Sequence, residues 1–173
     1  EPLPVEYRKK FRLPTQDTQS SPPPPRNDRL PPLEMLINER TSQLDERTIN
    51  ETAGQIEKTL AEFGIPAKVI GFKAGPVVTQ FALEPGFLEK PGSEEEAVRL
   101  RKVRVAQIAG LQRDLALALS ATRLRIEAPV PGRPYLGIEV PNSRSAVVRL
   151  RPILESEAFY RSNSPLAIAL GRD

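Results

Sequence analysis

Between Ile49 and Phe63 the apolar residues Ile49, Ala53, Ile56, Leu60 and Phe63 recur at spacings of four, three, four and three, the stripe of one helix face. Glu46, Arg47, Glu51, Glu57, Lys58 and Glu62 fall on the other faces. Asp45 is placed to cap the start, and Gly64 followed by Pro66 to end it, so the pattern predicts a helix from Asp45 to Phe63. The period then changes from about four to two. Ile70 and Phe72 alternate with Val69 and Lys73. Beyond Ala74-Gly75-Pro76, Val77, Thr79, Phe81 and Leu83 alternate with Val78, Gln80, Ala82 and Glu84. Alternation on both sides of a Gly-Pro break predicts a hairpin with one buried face.

Residues 86–102 are polar and end in RLRK, which reads as a loop with a short helix. VRVAQIAG reads as a brief strand or turn. LQRDLALALSA reads as a largely buried helix, apolar at Leu111, Leu115, Leu117, Ala118 and Leu119. A second hairpin follows. Leu124, Ile126 and Ala128 form one strand, and Leu136, Ile138 and Val140 the other. Pro129 to Pro134 makes the rigid loop between them, because proline cannot donate to a ladder and is confined to strand ends and edges. Ala146–Leu150 reads as a short strand, and Pro152 fits the first turn of a helix over Ile153–Phe159. The sum is an α+β class: an antiparallel sheet with helices packed on it, preceded by a Pro-rich extended tail. The expected core is Ile70, Phe72, Phe81, Leu83, Ile126 and Ile138, covered by the helix stripe and by Leu115 and Leu119.

The tail is set apart by composition. Residues 1–32 hold nine of the 19 prolines, four of them consecutive at Pro22–Pro25. Proline fixes φ and removes the amide donor, so the segment is extended or polyproline-like. We divide the chain into a linker or tail over 1–29 and a folded subdomain over 30–173. The tail serves as an interdomain linker or, on a sharper reading, as a docking peptide for a proline-binding module.

Composition narrows the chemistry. The 173 residues include no cysteine and no histidine, which excludes disulfides, thiolate chemistry, imidazole bases and histidine-containing zinc sites. No glycine is followed by lysine, so the phosphate-cradling loop motif is absent from the sequence. No catalytic residue, cofactor site or metal site is assigned. The chain carries no long apolar run to span a membrane, does not open on methionine or on a charged-then-apolar secretion signal, and reads as part of a longer cytosolic protein. The tail carries six basic against four acidic residues and the remainder 19 against 18. A domain so nearly balanced has no strong field of its own, so nucleic-acid contact must come from a local cluster or from many assembled copies. Arg101, Lys102 and Arg104, with Arg99 just before, are the one compact basic cluster and the candidate DNA contacts; the bland alternative is a solvated face pairing with Glu94–Glu96. Arg123, Arg125, Arg133 and Arg144 surround the second hairpin and could build a second basic patch, with pairing within the domain or between subunits as the leading reading.

These stretches also carry a resemblance. LRIEAPVPGRPYLGIEVPN (residues 124–142), with FGIPAKVIGFKAGPVVTQFALEPG (63–86) before it, closely resembles the α subdomain preceding the motor in FtsK/SpoIIIE-type DNA translocases. LPPLEML at 30–36, GLQRDLALALSATRLRI at 110–126 and SPLAIALGRD at 164–173 fit in the same order. The resemblance implies a noncatalytic part of a hexameric, ATP-driven ring around double-stranded DNA. ATP and magnesium would bind a RecA-like subdomain beyond this sequence, in a parent anchored in the bacterial inner membrane. This part would stay cytoplasmic and touch no membrane. The stiff corner Pro131-Gly132-Arg133, with Asn142 at the strand exit, would meet neighbouring subunits in fixed register. FLEKPGSEEEAVRLRK is inserted relative to the family, which makes the basic cluster partly lineage-specific. A stand-alone nucleic-acid-binding module and an adaptor acting through its Pro-rich tail are the rivals.

Overall fold

The computed structural model describes residues 3–13, 30–38, 45–90, 99–162, 164 and 166–171. The chain divides into two compact units, Glu1–Arg12 with Leu44–Ser145, and Leu13–Gln43 with Ala146–Asp173. In chain order the elements are α1 (Glu46–Glu62), β1 (Ala67–Ala74), β2 (Val78–Pro85), β3 (Phe87–Lys90), β4 (Arg99–Lys102), α2 (Val105–Gly110), α3 (Gln112–Ala118), β5 (Arg125–Glu127), β6 (Leu136–Pro141), α4 (Leu150–Leu154) and α5 (Glu157–Arg161). Single 3-10 turns lie at Val5–Tyr7 and Leu33–Met35.

The first unit is the predicted α+β architecture. β1, β2, β6 and β5 form a four-stranded sheet in that order, every pair antiparallel. Helix α1 packs against β1 and α3. Its caps are those the sequence announces. The Asp45 carboxylate accepts from the Arg47 amide at 3.0 Å. At the other end Gly64 takes φ +69°, its amide donates to Ala61 O, and the Ile65 amide reaches back to Leu60 O. That double return is a Schellman motif, and the two residues it joins, Ile65 and Leu60, are both buried. Of the helix stripe, Ile49, Ala53, Ile56 and Leu60 are buried, whereas Phe63 is exposed because the helix has already ended there.

Register explains the core. The row Phe72–Phe81–Ile138–Ile126 runs across all four strands on the inner face, with Val69–Leu83–Leu136 on one side of it and Thr79–Val140 on the other. Phe81, Leu83 and Ile138 are fully buried, while Phe72 and Ile126, on the two edge strands, are half-buried. Ile70 departs from expectation and is 50% exposed. The β1–β2 register shifts between Val69 and Gly71, so Ile70 is the extra residue of a bulge, and Val69 and Phe72 both face inward around it. Uninterrupted alternation would have put Ile70 in the core.

Five further expectations are corrected. Phe87–Lys90 and Arg99–Lys102 pair as a two-stranded antiparallel ribbon in place of a loop with a short helix. VRVAQIAG is mostly helix α2, started by the Gln107 side chain accepting from the Arg104 amide. In α3 only Leu115 is buried, and Leu117 is 81% exposed. In the second unit, Ala146–Leu150 is not a strand; Pro152 lies within α4, and Ser156 caps a separate α5 by accepting from the Phe159 amide. Residues 14–29, which hold Pro22–Pro25, lie outside the described residues.

Candidate nucleic-acid interface

The β3–β4 ribbon is tied to the sheet at its base. The Gly86 amide donates to Pro66 O at 2.8 Å, and the Val103 amide donates to Gly86 O at 3.0 Å. A Cβ at position 86 would meet Pro66 O at 2.9 Å, so glycine permits this junction. Buried Val103 then plugs the corner from which α2 departs. Strand alternation separates the basic cluster. Lys102 pairs with Phe87 on one face of the ribbon, where Leu100 also lies; Arg101 pairs with Leu88 on the other. Phe87 and Leu100 are exposed, giving the Lys102 face a mixed apolar and cationic character.

Opposite this corner stands the proline loop. Val130 O accepts from the Arg133 amide at 3.0 Å, with Pro131 and Gly132 between and Gly132 at φ +72°. Proline second and a left-handed glycine third are the residue pattern of a type II turn. The Val130 amide closes the loop onto Tyr135 O at 3.1 Å. Val130 also lies down on the outer face of the sheet, where a Cβ at Gly137 would come within 2.8 Å of its Cγ2.

Between the two lies a cleft of about 640 Å³. One wall is Lys102, Val103, Arg104 and Val105; the other is Ala128, Pro129, Pro134 and Tyr135, with Pro85 and Leu136 at the strand ends beneath. The structure therefore brings Lys102 and Arg104 to one rim and leaves Arg101 on the opposite face of the ribbon. All three side chains are exposed and have no ion-pair partner among the described residues; Glu94–Glu96 lie outside those residues. Among the described residues no acidic side chain lines the cleft. It can accept an anion at its rim and apolar or stacked groups along its walls.

The remaining candidates behave differently. Arg125 lies 3.9 Å from Glu127 and 3.7 Å from Glu139, so its pairing within the domain holds. Pro131, Gly132 and Arg133 are exposed at the loop tip. Asn142 is occupied within the fold. Its Oδ1 accepts from Thr79 Oγ1 at 2.7 Å, its Nδ2 donates to Gly75 O at 2.8 Å, and its amide donates to Val77 O at 2.8 Å. It locks the exit of β6 to the β1–β2 turn. Asn142→Ala is expected to cost about 1–3 kcal/mol in chemical denaturation, because it strands the hydroxyl of buried Thr79. A loss confined to subunit association, with monomer stability unchanged, would contradict this.

No single stretch of sequence announces the cleft, because its walls are contributed by residues 102–105 and 128–135. Among the described residues no group of three or more His, Cys, Asp or Glu is arranged for a metal, and no helix is long and apolar enough to cross a membrane.

Comparison with known proteins places the chain in a family. Residues 30–142 match the family model described as the FtsK alpha domain, and the chain belongs to that family. It is 39% identical over 151 residues to the DNA translocase FtsK of Campylobacter jejuni, covering 86% of this chain and 14% of that protein. It is 40% identical over 144 residues to the DNA translocase FtsK of Caldanaerobacter subterraneus, covering 83% and 18%. It is 37% identical over 166 residues to the DNA translocase SpoIIIE of Bacillus subtilis, covering 91% and 19%. The chain thus spans less than a fifth of the length of these relatives.

Proposed function

We propose that this chain is a noncatalytic subdomain of a hexameric, ATP-driven double-stranded DNA translocase, serving ring assembly and DNA guidance. ATP and magnesium would be bound by a motor subdomain outside this sequence, and the parent would be anchored in the inner membrane. The observation that carries the DNA part is the cleft rim. Lys102 and Arg104 stand without ion-pair partners among the described residues, in a family whose relatives are named DNA translocases. Cations held on a fixed corner supply sequence-independent phosphate affinity and orientation without base readout. The exposed loop tip Pro131-Gly132-Arg133 is the candidate contact with a neighbouring subunit.

Fluorescence anisotropy on random duplexes tests the reading. Binding by the single chain is expected to be weak, salt-sensitive and indifferent to sequence. Repetition around a ring raises the effective concentration of such contacts. Tight, sequence-specific binding by the single chain would favour a stand-alone DNA-binding module instead. ATP is expected not to bind this chain, and stoichiometric heat in a calorimetric titration would overturn that assignment.

A further inference from the structure

We propose that the side of α1 formed by Asn50, Gly54 and Glu57 is a docking site for a basic and aromatic peptide, and that its occupant is the chain's own residues 3–12. The Asn50 carboxamide engages both backbone groups of one residue, donating to Phe11 O at 2.9 Å and accepting from the Phe11 amide at 2.6 Å. Glu57 is only 6% exposed, and its Oε1 takes both the Lys9 ammonium and the Val69 amide. A buried carboxylate without a cation would be strongly unfavourable, so burial of Glu57 and docking of Lys9 go together. A Cβ at Gly54 would come 2.2 Å from Tyr7 O, an approach only glycine allows. The Phe11 ring meets Phe72 edge-on, with centroids 5.8 Å apart.

The three helix positions are spaced four and three apart, which makes a second stripe beside the apolar one that faces the sheet. Asparagine and glycine weaken a helix interior, yet they stand where the segment needs a bidentate amide and an open backbone. The segment lies outside residues 30–142, which match the family model.

With residues 3–12 held on α1, the segment before Leu13 belongs to the same compact unit as the sheet. This stands on α1 and β1 and is independent of the DNA reading.

Hydrogen exchange on the full chain tests it. In the unmodified protein, residues 7–11 are expected to be protected. Lys9→Glu should lower that protection about tenfold or more, and adding Glu57→Lys should restore most of it. Gly54→Ala should release the segment while the β2 amides stay protected, which separates undocking from unfolding. A fluorescent peptide spanning residues 3–13 should bind the Gly54-containing Lys9→Glu chain and not the unmodified one, whose site is filled. Exchange of residues 7–11 at free-peptide rates in the unmodified chain, or protection that none of these substitutions alters, would overturn the proposal.

Discussion

Phe81→Ala is expected to lower the unfolding free energy of the first unit by about 3–5 kcal/mol. Phe81 sits on a central strand, 2% exposed, with Phe72 and Ile138 in register on either side. Truncation removes the apolar transfer gain and leaves a cavity that a sheet pinned on both edges cannot collapse. Ile70→Ala provides the contrast. Its side chain is half-exposed at the bulge, so the loss should stay within about 0.5 kcal/mol. Urea denaturation with an unchanged m value reads both differences. Equal losses at the two positions would mean that the bulge is not where the register places it.

The sequence was legible where one period and its terminators agreed. Asp45, the Ile49–Leu60 stripe and Gly64 define α1 because cap, stripe and stop are all local. The inner row of the sheet was legible except at Ile70, since a bulge inserts one residue without any composition signal. The β3–β4 ribbon was misread because both its faces bear exposed residues, so no buried alternation marks it; what secures its base is a pair of backbone bonds through Gly86. The exposure of Leu117 was hidden for a different reason: periodicity shows that a face is apolar, not that anything covers it. Of the candidate site, the residue types were legible and their grouping was not. Arg101, Lys102 and Arg104 are neighbours in sequence, but pleating turns Arg101 away and brings Lys102 and Arg104 opposite Pro129 and Pro134. Docking of Lys9 and Phe11 onto α1 was equally invisible, since it joins residues about 40 or more positions apart.

That regrouping gives the second large effect. If Lys102 and Arg104 are the phosphate contacts of the cleft, replacing both by alanine removes two released counterions. The slope of log K against log salt should then flatten by about 1.8 units, from about 0.9 for each contact. At moderate salt this weakens binding severalfold per chain, and in a ring of six the loss compounds. Arg101→Ala lies on the other face of the ribbon and should leave cleft binding nearly unchanged. Because all three side chains are exposed, none of these substitutions should alter stability by more than about 0.5 kcal/mol.

The most direct measurement is therefore the salt dependence of duplex binding, by fluorescence anisotropy, for the unmodified chain, Arg101→Ala and Lys102→Ala/Arg104→Ala. The account predicts a slope that flattens by about two units in the double variant and hardly moves in the single one. A slope unchanged by the double substitution would contradict it and return the cleft cations to an ordinary solvated surface.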